Sequence, residues 1–232
     1  MSRKIVGVMG GVGPGSTAAF YQTVVRRYAA ARGGDQPALL IHSVPMTAAI
    51  EAAILDGVTA GPAVDELTGM LAQGVQQLAR AGVDGIVMPC NTLQAFLPEL
   101  VAQAGLPYLP LVGATVRHIR HSGYGRVALI CTSAMRALGL YQAELAAQAV
   151  ACVLPSDAEQ AGITQTILAS LHHRPDPNAP LRPVVRRLEG AADAILLGCS
   201  DITAFADPAF TRLPVIDAMD VLAEATVAFL LE

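Results

Sequence analysis

Cys90 and Cys199 each close a segment built on one plan. The first reads Val83-Asp84-Gly85-Ile86-Val87-Met88-Pro89-Cys90-Asn91-Thr92, the second Ala192-Asp193-Ala194-Ile195-Leu196-Leu197-Gly198-Cys199-Ser200-Asp201. They lie a little under half the chain apart. Each runs from an Asp through apolar residues to a Cys and then to small polar residues. Both read as buried strands that end in a loop, and the first opens a helix at Asn91 or Thr92, which are good N-cap types. A thiol at the C-terminal edge of a sheet and near a helix N-terminus is biased toward thiolate. Two such thiols facing one another across a cleft permit one kind of chemistry in particular. A thiolate removes a proton from a carbon next to a carboxylate, and a thiol returns a proton to the opposite face. The roles exchange in the reverse direction. Ordinary thiols titrate near ~8.5, so modest tuning brings one to working pH. Asp201, two residues past Cys199, could accept its proton or keep it protonated, or serve only as a helix cap. Asn91, Thr92, Thr132, Ser133 and Ser200 offer hydroxyls, amides and backbone N–H groups for a substrate carboxylate, as do Gly11 and Val12 in the loop from Gly10 to Gly15.

Elements that position these residues follow from the pattern of apolar runs and breakers. Ile5 to Met9 predicts a strand, the Gly10–Gly15 stretch a loop, and Ser16 or Thr17 the cap of a helix to about Ala31. A strand over Ala38 to His42 precedes a loop or short helix over Pro45 to Ala53. Ala63 to Ala81 is amphipathic, with Val64, Leu67, Leu71, Val75 and Leu78 on one face. After the Cys90 strand come a helix from Thr92 to Ala104, a strand from Tyr108 to Leu111 and a helix from Gly113 to His121. Arg126 to Cys131 is a strand much like Lys4 to Met9. It is followed by a helix from Leu138 to Ala149, a strand from Ala151 to Leu154 and a helix opened at Pro155-Ser156-Asp157. A helix over Asn178 to Leu188, the Cys199 strand, a strand over Leu213 to Ile216 and a helix over Met219 to Leu231 complete the chain. Alternating strands and helices predict an α/β fold with parallel sheets. The two halves begin alike and each carries a Cys segment. The expected division is therefore two similar domains, residues 1–112 with 213–232 and residues 113–212, with the site in the cleft between them. Ligands of parallel sheets bind beyond the C-terminal strand ends, where both Cys segments finish.

Composition narrows the classes. A net charge of −4 carries no basic footprint for nucleic acid, and no run of eighteen apolar residues marks a membrane span. The apolar N-terminus is cut short by its Gly-rich turn, so a cytoplasmic protein is expected. The remaining cysteines, Cys131 and Cys152, read as core thiols, and Cys131, which borders the expected site, could also line it. The Gly loop misses the dinucleotide register, because Ser16 stands at the sixth position from Gly11, and no acid ends the second strand. Neither His118 with His121 nor His172 with His173 has Cys, Asp or Glu at ligand spacing, so no metal is expected. Asp84 and Asp193 sit at strand starts, where turn or cap roles fit, and Asp217 could cap the last helix.

Together the motifs resemble the aspartate/glutamate racemase superfamily, and most closely its aspartate racemase branch. The resemblance rests on Gly10-Gly11-Val12-Gly13-Pro14, on Pro89-Cys90-Asn91-Thr92, on Gly198-Cys199 and on Leu213-Pro214-Val215-Ile216-Asp217 with Met219-Asp220. It implies two Rossmann-like domains with four-stranded parallel sheets related by a pseudo-two-fold. It also implies an interdomain site, two catalytic cysteines, no cofactor and a homodimer. The expected substrate is an amino acid or other small carboxylic acid, racemised at its α-carbon. Relatives of similar architecture isomerise maleate or decarboxylate arylmalonates, and a non-catalytic carboxylate binder is a further alternative. Several positions depart from the family. Leu93-Gln94 stand where Ala-His is usual, Ser200-Asp201 replace Thr-Glu, and Thr132-Ser133-Ala134-Met135 replace a Thr-rich loop. The segment from Pro45 to Ala52 lacks the Arg that holds the side-chain carboxylate in aspartate racemases. The substrate is then not aspartate, or another cation such as Arg136 serves.

Overall fold

The computed structural model describes residues 3–55, 57–58, 60–171, 178–200, 202, 207 and 209–232. The first half runs β1 (Ile5–Gly10), α1 (Pro14–Ala31), β2 (Ala38–Ser43), α2 (Ala48–Leu55), α3 (Pro62–Arg80) and β3 (Gly85–Val87). A 3-10 turn (Thr92–Ala95), α4 (Leu97–Gln103) and β4 (Tyr108–Leu109) follow, and α5 (Leu111–His121) crosses to the second half. That half contains β5 (Arg126–Cys131), α6 (Ser133–Leu138), α7 (Leu140–Ala147), β6 (Ala151–Val153), α8 (Asp157–Leu171), α9 (Leu181–Leu188), β7 (Ala194–Gly198), β8 (Val215–Asp217) and α10 (Ala218–Leu231).

Among the described residues the strands form two four-stranded sheets, ordered β2-β1-β3-β4 and β6-β5-β7-β8, with every pairing parallel. The repeat extends to register. Val6 pairs with Gly85 and Val8 with Val87 in one sheet, as Val127 pairs with Ala194 and Leu129 with Leu196 in the other. It extends also to the strand starts. Asp84 Oδ2 accepts from the Ile5 N–H at 2.7 Å, and Asp193 Oδ2 accepts from the Arg126 N–H at 2.9 Å. The two aspartates thus fasten the start of each central strand to its neighbour, at the end of the sheet away from the cysteines.

Alternation along the strands divides the apolar side chains of the described residues into three cores. Val6, Val8, Val87, Val127, Leu129, Ala194 and Leu196 share one core with residues of α1, α5, α7 and α10. Met9, Ile86 and Met88 face the other way, onto α3 and α4. Ala128, Ile130, Ile195 and Leu197 face α8 and α9. The apolar stripe expected on α3 is buried throughout, from Val64 to Leu78. The inner core belongs to both sheets at once, so each half is completed by the other.

Several boundaries differ from those expected from the sequence, the start of α1 among them, at Pro14 with Gly13 as its cap rather than Ser16 or Thr17. Strand β8 pairs with β7, so residues 213–217 complete the second sheet rather than returning to the first half. Helix α10 alone turns back, packing against both α1 and α5. The boundary expected at residue 113 falls inside α5, which begins at Leu111 because Pro110 is still extended and Leu111 and Val112 are already buried. The helix expected from Thr92 splits into the 3-10 turn and α4 around Phe96, with Pro98 in the first turn of α4. The helix expected from Leu138 to Ala149 is α7, beginning at Leu140 after Gly139, whose φ of 67° is left-handed, and a further short helix, α6, precedes it where none was expected.

Candidate active site

A cleft of about 590 Å³ opens at the C-terminal edges of both sheets, and Cys90 and Cys199 both line it. Cys90 follows β3 and is half-buried, while Cys199 follows β7 and is buried. The strands β3 and β7 occupy equivalent places in their sheets. The repeated segment therefore delivers one thiol from each half to a common cavity.

Each half also reaches into the other. The loop after β1 and the start of α1 meet the second Cys loop, where the Ser16 hydroxyl donates to Ser200 Oγ at 2.7 Å. The residue after β5 meets the first Cys loop, with Thr92 and Thr132 hydroxyls 3.2 Å apart. Tyr141 on α7 donates its phenol to Asn91 Oδ1 at 2.6 Å, which leaves the amide N–H groups of Asn91 as its donors at the cleft wall. Burial pushes the Tyr141 phenol well above its ordinary pKa, so it remains a donor at every working pH.

Gln94 fixes the backbone beneath Cys90. Its amide N–H groups donate to Met88 O at 3.0 Å and to Cys90 O at 2.9 Å. Its Oε1 accepts from the Leu111 N–H at 3.2 Å and from the Tyr108 hydroxyl. All four hydrogen-bonding positions of the amide are thereby used, in a residue that is 5% exposed. The departure from the family's usual His is thus a well-satisfied anchor: an imidazole has two ring nitrogens and cannot make these four bonds.

The expected site residues separate into three groups. Cys90, Cys199, Val12, Asn91, Thr92, Thr132 and Ser200 line the cleft. Gly11 and Ser133 do not. Gly11 holds a φ of 85° and a Cβ there would stand 2.6 Å from Ser43 Oγ and 2.7 Å from the Val44 N, so the position shapes the loop. Ser133 opens α6 and turns its hydroxyl to Thr164, 3.3 Å away, in the wall of a separate recess shared with Arg136, Ala137, Asp157 and Gln160. Asp201, His172 and His173 lie outside the described residues. Arg136 pairs with Asp157 at 2.9 Å and faces that second recess, which removes it as a cation for the cleft. Thr132 also caps α6, accepting from the Met135 N–H at 3.1 Å. Asp217 caps α10 by accepting from the Met219 N–H at 2.8 Å, and burial raises its carboxyl pKa.

Cys131 is buried in the inner core, where desolvation pushes its pKa up to about 12. Cys152, half-buried, is raised to about 11 by the same cause. Neither lines the cleft. Cys90 gains little from a helix dipole, because its loop enters a single 3-10 turn before the seven-residue α4. Residues that sequence reasoning overlooked are Ser16, Glu51, Ile54 and Ser170 in the cleft wall, with Tyr141 and Tyr108 behind it. Ser16 was legible only as a helix cap, and nothing local marks Glu51 or Ser170. The fold alone brings them to the cysteines.

Comparison with known proteins agrees with this architecture. The profile of the Asp/Glu/hydantoin racemase family matches residues 9–226. The chain is 27% identical over 230 residues to the broad specificity amino-acid racemase RacX of Bacillus subtilis (strain 168), covering 97% of each protein. A Yersinia pestis protein, solved as a candidate Asp/Glu racemase, superposes with a TM-score of 0.86 at 24% identity over 99% of this chain and 100% of that one. The aspartate racemase of Picrophilus torridus superposes with a TM-score of 0.77 at 23% identity, over 98% of this chain and 94% of that one. With the profile spanning nearly the whole chain, both cysteine segments included, this protein belongs to the Asp/Glu/hydantoin racemase family.

Proposed function

We propose that the protein is a cofactor-independent amino-acid racemase in which Cys90 and Cys199 act as base and acid at the α-carbon. The observation that carries this reading is the placement of both thiols, one from each repeated half, on one cleft. In one direction a thiolate takes the α-proton, and the electron pair of the broken C–H bond passes into the substrate carboxylate. The opposite thiol then gives its proton to the other face of the carbon. The first cysteine leaves the turnover as thiol and the second as thiolate, so the reverse reaction begins from the state the forward one leaves. Hydroxyl and amide donors of Thr92, Thr132, Ser200 and Asn91 suit the carboxylate, whose negative charge grows as the proton leaves. Gln94 holds the Cys90 backbone and Tyr141 holds Asn91, which limits the freedom of the groups that must meet the substrate.

The test is chiral chromatography of single-enantiomer amino acids incubated with the purified protein. The reading expects inversion of at least one amino acid, reduced about 10²–10⁴-fold by Cys90→Ser and by Cys199→Ser alike. Turnover that survives either substitution would overturn the two-thiol assignment.

A further inference from the structure

We propose that Glu51 selects amino acids whose side chain carries a positive charge, an ammonium or a guanidinium. The inference rests on the racemase reading and adds the substrate class. Among the described residues that line the cleft, Glu51 is the one with an ionisable carboxylate, and no Lys or Arg accompanies it. It stands on α2, three residues before Ile54, so the two share a face of the helix, and Met46 lies just upstream on the same wall. The wall thus offers apolar contact followed by a carboxylate, which matches a side chain of methylenes ending in a cation. No ion pair joins Glu51 to another described residue. The cleft, at about 590 Å³, has room for a long side chain beside the α-carbon.

Charge balance points the same way. The substrate's α-carboxylate and the catalytic thiolate already bring negative charge into the cleft. A second substrate carboxylate would meet Glu51 as a like charge, while a cationic side chain would neutralise it. Glu51 itself is exposed, so the pairing is partly screened and its strength depends on salt.

The experiment measures kcat/KM for L-lysine, L-ornithine and L-arginine against L-norleucine and L-aspartate, in wild type, Glu51→Gln and Glu51→Lys. The expected result is a preference of about tenfold, ~1.4 kcal/mol, for a cationic substrate over norleucine. Glu51→Gln removes that preference, Glu51→Lys turns it toward aspartate, and added salt diminishes it in the wild type. Norleucine or aspartate turning over as fast as every cationic substrate, or a ratio unchanged by Glu51→Gln, would overturn the assignment. Calorimetric binding of L-lysine and L-norleucine, read without turnover, separates this claim from the racemase reading. Tighter lysine binding that Glu51→Gln abolishes, with no turnover of any amino acid, upholds Glu51 and sinks the racemase. Turnover without a charge preference does the reverse, and absence of both sinks the two together.

Discussion

Gln94 illustrates how single residues govern the cleft. Its amide ties the end of β3, the Cys90 carbonyl, the Tyr108 phenol and the start of α5 into one junction. Burial pushes the Tyr108 phenol far above its ordinary pKa, so it stays a donor to this junction. Replacement of Gln94 by Met keeps the volume and strands those partners without water. We expect Gln94→Met to lower stability by about 2–4 kcal/mol in urea titration, because several buried polar groups lose their partners together. Thiol reactivity should follow exposure and pKa in the same way. At neutral pH iodoacetamide should modify Cys90 well before Cys131, whose thiol is 1% exposed and raised to about 12. Peptide mapping of the alkylated protein reads the order, and early labelling of Cys131 would contradict the packing described. At this scale the sequence was informative about the cysteines, because their neighbours repeat. It was uninformative about Glu51, because an acid on a short helix looks the same whether it faces solvent or a cleft.

The helices show which local rules survive in the fold. The two glycines of α3 make a direct comparison. At Gly69 a Cβ would meet nothing within 4 Å, whereas at Gly74 it would stand 2.6 Å from His42 Cδ2 and 2.7 Å from Met9 Cε. Gly69→Ala should therefore stabilise by about 0.5–1 kcal/mol through helix propensity. Gly74→Ala should destabilise by about 1–3 kcal/mol, since β1 and β2 side chains must move to admit the methyl. Thermal unfolding of the two variants checks both signs. Element type was legible where the pattern was long, as for α1, α3 and α10, whose apolar spacing spans several turns. It failed where a junction is decided by tertiary contact. Pro98 divides a helix that looks continuous by composition, Gly139 follows a short helix that the sequence did not announce, and β8 chose β7 as its partner although the sequence around it resembles the end of the first half. No local signal tells β8 which of the two sheets to join, because both sheets are parallel and built to the same order.

Over the whole molecule, the inner core unites both sheets with α1, α5, α7 and α10, and hydroxyl contacts between Ser16 and Ser200 and between Thr92 and Thr132 join the two halves at the cleft. A protein built this way should unfold as one unit, with circular dichroism and tyrosine fluorescence tracing a single coincident transition in urea. Two separated transitions would show that the halves are independent. Acid sensitivity has a defined window. Hydrogen bonds from Arg187 and Ser156 hold the Glu159 carboxyl at about 2, below its ordinary 4.5. A depressed carboxyl pKa contributes stability above the unfolded value, and that contribution is lost as pH falls from about 4.5 to about 2. The central claim concerns the two thiols and is tested most directly by solvent deuterium. In D2O, a single enantiomer of a turned-over amino acid should acquire deuterium at the α-carbon in the inverted product, with little deuterium in recovered substrate at early times. That pattern arises when the base on one face is not the acid on the other. Proton NMR of the separated enantiomers reads it. Equal early deuteration of substrate and product would indicate a single base serving both faces, and would contradict the assignment of Cys90 and Cys199 as a paired base and acid.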